Sequence, residues 1–126
     1  MKILIIEDVI FRQDFIANKL GTDDFDRARR ADIALELLQE NDYDVIFFDH
    51  DLVGARSGSD ITMEWANAGR ALQPKRPLVI IHSMNMEGAG RMETHLKGLT
   101  SKTLRIPFRN IVQGEIDLKA LIATEE

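Results

Sequence analysis

Val45-Ile46-Phe47-Phe48-Asp49-His50-Asp51 sets four apolar residues directly before three ionisable ones. The run lacks period-two alternation, which is how a strand buried on both faces reads. Two further runs share the pattern. Ile3 to Ile6 is followed by Glu7 and Asp8, and Leu78 to Ile81 by His82, Ser83 and, after Met84, Asn85. Strands covered on both faces belong to a parallel sheet, whose neighbours are joined by crossovers of a dozen or more residues, usually helical.

The intervening segments supply those crossovers. Apolar stripes at spacings of three to five run through Phe11, Phe15 and Leu20, and through Ala31, Leu35 and Leu38. Two more run through Ile61, Trp65, Ala68 and Leu72, and through Ala89, Met92, Leu96 and Leu99. Each lays one apolar face against a sheet. A last short strand is expected over Thr103 to Pro107 and a final helix over Ile116 to Ala123, after Gly114. The second strand is the least marked. Residues Phe25 to Ala31 carry Arg27, Arg29 and Arg30, which suit an exposed edge. The expected class is α/β: five strands and five helices, doubly wound as a three-layer sandwich on a parallel sheet.

The composition narrows the range of functions. With 126 residues, 44% of them hydrophobic, the chain reads as one domain, 1–126, with one core. Sixteen Lys plus Arg against 21 Asp plus Glu give a net charge of −5, which disfavours broad binding to duplex DNA. The absence of cysteine excludes disulfides, thiolate metal sites and cysteine nucleophiles. Acids interrupt the first apolar run after four residues, too soon for a signal peptide. No stretch approaches the roughly 18 apolar residues of a membrane span. The expectation is a cytoplasmic protein without a membrane partner.

In an open parallel sheet, ligands bind beyond the carboxyl ends of the strands. All three marked strands deliver polar groups to that rim. Glu7, Asp8, Asp49 and Asp51 gathered there repel one another unless a cation intervenes. A hard divalent ion, Mg²⁺ first and Mn²⁺ second, relieves that repulsion through oxygen ligands. His50 and His82 bring imidazole to the same rim, as acid, base or ligand to a borderline metal. If residues 49–51 stay extended, Asp49 and Asp51 point one way and His50 the other. Ser83 and Asn85 are small polar groups suited to a phosphate, and Gly88 and Gly90 open the next helix with little side chain over its N–H groups. Arg12, Arg105 and Arg109 are candidate phosphate partners. His95 falls on a helical segment and is expected on its solvated face.

Taken together, these residues make the whole chain resemble the receiver domain of bacterial response regulators. The resemblance implies a five-stranded sheet in the order 2-1-3-4-5. It implies that Glu7 and Asp8 are the acidic pair holding Mg²⁺, that Asp49 stands at the phosphoacceptor position, and that Ser83 is the hydroxyl after the fourth strand. Receivers place a Lys immediately before the proline that follows the fifth strand. Here Ile106 precedes Pro107, with Arg105 one position earlier. The runs Asp49-His50-Asp51-Leu52 and His82-Ser83-Met84-Asn85, with Gly88 and Arg12, look more like a divergent receiver-like group regarded as processing cyclic phosphates.

Three functions follow. The first is a metal-dependent phosphoesterase acting on cyclic phosphates of nucleotides or RNA ends. In it Asp49, His50, His82 and Ser83 are catalytic; Glu7, Asp8, Asp49 and Asp51 hold the metal; Ser83, Asn85, Gly88 and Arg12 bind phosphate. The second is a stand-alone response regulator, without an output domain, phosphorylated at Asp49 and acting on a protein partner. The third is a pseudo-receiver that binds without chemistry.

Overall fold

The computed structural model describes residues 1–68, 76–114 and 116–125. The strands are β1 (Ile3–Ile6), β2 (Asp26–Ala28), β3 (Val45–Phe48), β4 (Leu78–Ile81) and β5 (Lys102–Arg105). The helices are α1 (Ile10–Leu20), α2 (Ala31–Glu40), α3 (Gly58–Asn67), α4 (Met86–Leu96), α5 (Phe108–Val112) and α6 (Leu118–Glu125). All strand pairs are parallel, as expected from the apolar runs, and the sheet order is β2-β1-β3-β4-β5, as the receiver resemblance implied.

The pleat divides the core in two. Leu4, Ile6, Ile46, Phe48, Val79 and Ile81 face α2, α3 and α4, packing with Leu38, Ile61, Trp65 and Met92. Ile3, Ile5, Val45, Phe47, Leu78 and Ile80 face the opposite layer, packing with Ile16, Phe108, Ile111 and Ile122. Phe47 and Phe48 are both fully buried, one on each face. Burial of such a side chain contributes about 1.5–3 kcal/mol. This is why the central run shows no alternation.

The ends of the chain depart from the expected elements. β2 covers three residues rather than the span Phe25 to Ala31, since Ala31 already begins α2. It is an edge strand with Arg27 exposed. β5, the opposite edge, stops at Arg105, two residues before the expected end. The expected final helix over Ile116 to Ala123 is α6, and the short α5 before it is an addition. Pro107 stands at the N-cap of α5, and Gly114, with φ of 71°, lies between α5 and α6. Among the described residues there are therefore six helices. Of the third apolar stripe, Leu72 lies outside the described residues.

The register positions the rim. Ile6, Phe48 and Ile81 are mutually aligned across β1, β3 and β4. The ladder continues one residue further: Asp49 N–H donates to the Ile6 carbonyl at 2.9 Å, and His82 N–H to the Phe48 carbonyl at 3.0 Å. Glu7, Asp49 and His82 thus stand abreast on three adjacent strands.

Candidate functional site

Glu7, Asp49 and His82 each offer a ligand atom within 4.8 Å of the others, and all three are buried. Period two puts them on the Phe47 side of the sheet, toward α1 and α5. His82 Nε2 lies 3.0 Å from Glu7 Oε1, while His82 Nδ1 is buried without a partner. The second Glu7 oxygen accepts the Val9 N–H at 3.1 Å. Gln13, from α1, donates to the Glu7 carbonyl at 2.5 Å and fixes the backbone there.

The electrostatics follow from burial. Loss of water pushes the Glu7 carboxyl up to about 7, against the Val9 N–H, which favours the ionised form. Burial likewise raises Asp49 to about 6, with Glu7 adding repulsion and His82 opposing it. Burial drives His82 down to about 4, partly offset by Asp49. His82, depressed this far, is neutral above about pH 5, and its opposition leaves Asp49 still raised. Among the described residues the nearest cation is the Arg12 guanidinium, 4.0 Å from Glu7 Oε1, partly exposed and 5.1 Å from the Phe108 ring. Two buried carboxylates facing one distant guanidinium lack positive charge. The donor set fits a divalent cation: its carboxylate oxygens suit Mg²⁺, and the imidazole admits Mn²⁺. Asp8 borders this group and pushes the Glu7 carboxyl further up.

His50 points to the other face, as alternation required. Its ring is buried between α3 and α4. Gly88 makes room for the ring and Gly58 for the backbone that carries it. A Cβ on Gly88 would meet the ring at 2.4 Å, and one on Gly58 would meet the Asp49 carbonyl at 2.2 Å. The Gly58 N–H donates to the His50 carbonyl at 2.6 Å, docking α3 on the strand end. His50 Nδ1 lies 2.9 Å from Asp51 Oδ1, and Nε2 lies 3.3 Å from Ser59 Oγ and 3.5 Å from an Arg91 guanidinium nitrogen.

Several sequence expectations are corrected here. Asp51 does not share a side with Asp49. The chain leaves the extended conformation after β3, and the exposed Asp51 carboxylate turns back to His50 and Asn85, which together hold it below its usual range. Gly88 does not present an open N–H, because Asn85 caps α4 by accepting that N–H at 2.9 Å. Ser83 is buried and accepts the Asn85 N–H at 3.0 Å. Arg105 donates to the Met86 carbonyl, and Arg109 is exposed. His95 is half-buried rather than solvated, its Nδ1 2.9 Å from Thr62 Oγ1. Sequence reasoning passed over Gln13, Ser59 and Arg91. The Ser57-Gly58-Ser59-Asp60 capping pattern was the signal available for the second of these.

The model of the family described as cyclic-phosphate processing receiver domain matches residues 3–98, from β1 through α4. No curated protein matches the sequence. Among solved structures, a CheY-like receiver domain from Methylobacillus flagellatus is 20% identical with a TM-score of 0.68, covering 100% of this chain and 98% of that one. The response regulator TrrA from Thermotoga maritima, in complex with Mg²⁺-BeF, is 14% identical with a TM-score of 0.66, covering 99% and 98%. A Francisella response regulator receiver domain is 21% identical with a TM-score of 0.63, covering 98% and 94%. These likenesses establish the fold.

Proposed function

The chain belongs to the family of cyclic-phosphate processing receiver domains, and from that membership we propose that it is a divalent-cation-dependent phosphoesterase opening cyclic phosphates on nucleotides or RNA ends. The observation that carries this is the buried trio Glu7, Asp49 and His82, two carboxylates that, among the described residues, have only the Arg12 guanidinium at 4.0 Å as a cationic side chain nearby. Glu7 and Asp49, with Asp8 beside them, would hold Mg²⁺ or Mn²⁺. When bound, the cation polarises a phosphoryl oxygen and lowers the pKa of a coordinated water.

The remaining roles belong to the chain. His82, fixed at 3.0 Å, holds Glu7 in place and shares a proton with it. Arg12 reaches the mouth of the trio with its guanidinium partly exposed and is the group placed to bind the phosphate. Phe108 beneath that guanidinium limits its swing. Asn85 and Gly88 act by holding α4 and seating His50 rather than by touching the ligand. The test is turnover of 2′,3′-cyclic nucleotides with Mg²⁺ or Mn²⁺, read as release of the phosphomonoester. Turnover should stop in EDTA and drop at least 100-fold, roughly the loss of one general acid–base group, in Asp49→Asn. No turnover with either ion would sink the reading.

A second reading keeps Asp49 as a phosphoacceptor in a signalling receiver with a protein partner, favoured by its place abreast of Glu7. Against it, the position before Pro107 holds a buried Ile106, and Arg105 is engaged by the Met86 carbonyl. A base-labile mass gain after acetyl phosphate, absent in Asp49→Ala, would decide for it.

A further inference from the structure

Asp51, His50 and Ser59 form a continuous chain outside the buried trio. Asp51 Oδ1 lies 2.9 Å from His50 Nδ1, and His50 Nε2 lies 3.3 Å from Ser59 Oγ. Nδ1 is also 3.3 Å from Asn85 Nδ2, but the ionised Asp51 carboxylate is closer and needs a donor; with Asp51 accepting, Nδ1 carries the proton and Nε2 presents its lone pair to the hydroxyl. Asn85 Nδ2, 3.4 Å from the same Asp51 oxygen, supports that orientation. The imidazole is packed against Gly88, where a Cβ would meet the ring at 2.4 Å, while Gly58 lies against the Asp49 carbonyl and the His50 Cα beneath it. Ser59 is half-buried rather than sealed, and it sits in the first turn of α3 beside the Ser57–Asp60 capping box, its Oγ also 3.0 Å from Ser57 Oγ, so its hydroxyl is shared between Ser57 and His50. Arg91 reaches the same point from α4, with about half of its side chain exposed. A nucleophile, a base hydrogen-bonded to it, and a third group orienting the base are the parts an activated serine requires.

We propose that Ser59 is a covalent nucleophile toward phosphorus, with His50 as its base, Asp51 as the positioning residue and Arg91 as the partner of the phosphoryl oxygens. On a cyclic phosphodiester, the Ser59 Oγ–P bond forms as the ring P–O bond breaks. The Ser59 proton passes to His50 Nε2 and from there to the departing oxygen. Water then attacks the phosphoserine diester and gives its proton through His50 to Ser59 Oγ, leaving a phosphomonoester and the free serine. The choice of a cyclic phosphodiester rests on the function proposed above; the nucleophile does not.

The test uses diisopropyl fluorophosphate on the intact chain in EDTA, with the adduct mapped by mass spectrometry. The Oγ–P bond replaces P–F, fluoride leaves, and the proton goes through His50 to solvent. One adduct is expected, on Ser59, absent in Ser59→Ala and formed at least about tenfold more slowly in His50→Gln. Because His50 is buried, Asp51→Asn provides a second variant at an exposed position, and the same slowing is expected there. No adduct on Ser59, or an adduct formed at an unchanged rate in Asp51→Asn, overturns the proposal. Labelling without cyclic-nucleotide turnover would retain the nucleophile and reject the cation-dependent function. Turnover without labelling would do the reverse.

Discussion

His82 Nε2 lies 3.0 Å from Glu7 Oε1 with both side chains fully buried. Burial opposes charge on both partners, so it favours a neutral imidazole and a protonated carboxyl. What would be a salt bridge on a surface is here one proton held between two groups. Asp49, alongside, is kept from ionising at its ordinary pH for the same reason. The site therefore holds protons that a cation would displace.

The displaced protons make metal binding depend on pH. Near pH 5 the folded trio carries two protons, on Glu7 and Asp49, whereas the unfolded chain carries one, on the histidine. Stability falls with pH wherever the folded state holds more protons, here as pH rises through the raised carboxyl pKa values. The His82 contribution runs the other way, and two carboxyls outweigh it. In EDTA, the unfolding free energy should drop by roughly 1–3 kcal/mol between pH 5 and pH 7.5. Mn²⁺ should raise the melting temperature more at pH 7.5 than at pH 5. A melting curve flat with pH, and equal shifts by Mn²⁺ at both values, would contradict the assignment.

Gly88 and Gly90 lie two residues apart on α4 and should respond oppositely to alanine. A Cβ at Gly88 would enter the His50 ring at 2.4 Å, forcing the imidazole from its contacts with Asp51 and Ser59. Overpacking of this kind costs about 1–3 kcal/mol. At Gly90 nothing lies within 4 Å, and alanine improves helix propensity by up to about 1 kcal/mol. Urea denaturation of both variants measures the contrast. Equal stability would mean that the ring is not seated where the structure has it.

The strand ends were legible because chemistry follows each apolar run without a spacer: Phe48 then Asp49, Ile6 then Glu7, Ile81 then His82. Their alignment in one row was not, because register depends on how the three strands pair and no single segment encodes that. Asp51 was misplaced for a related reason. Alternation describes a strand, and the chain turns after Phe48. Gly88 was legible as special but for the wrong cause. It read as backbone open to an anion, whereas its missing side chain leaves space for an imidazole contributed 38 residues earlier. Ser59 escaped notice because the 51–57 loop that returns it to His50 has no periodicity.

Asn85 joins the two readings of the rim and should separate capping from chemistry. Its Oδ1 caps α4 through the Gly88 N–H, while its Nδ2 lies 3.4 Å from Asp51. Asn85→Asp keeps the cap acceptor but replaces the donor with a second carboxylate beside Asp51. Asn85→Ala removes both and should cost about 0.5–2 kcal/mol. Asn85→Asp should lose less than Asn85→Ala, since cap preferences for Asn and Asp are close and the added repulsion falls on the exposed Asp51. Thermal melts of both variants test the assignment; equal losses would show that the cap is not what Asn85 contributes.

Asp49→Asn is expected to stabilise the cation-free protein while abolishing its activity. An amide keeps the oxygen that accepts the His50 N–H at 2.8 Å and removes a buried charge. Its NH₂ gains the neighbouring Glu7 carboxylate as an acceptor, so the repulsion by which Glu7 raises Asp49 becomes a hydrogen bond. At pH 7.5, where native Asp49 is ionised against its environment, the gain should be on the order of 1–3 kcal/mol. For a chain of this length that raises the melting temperature by roughly 3–10 °C. The same variant should lose the stabilisation that Mn²⁺ gives the native chain. Groups that serve a ligand at the expense of the empty fold behave in this way. Calorimetry in EDTA and then in Mn²⁺ distinguishes the cases: if Asp49→Asn melts lower than the native chain without metal, Asp49 is a structural carboxylate and the trio is not a cation site.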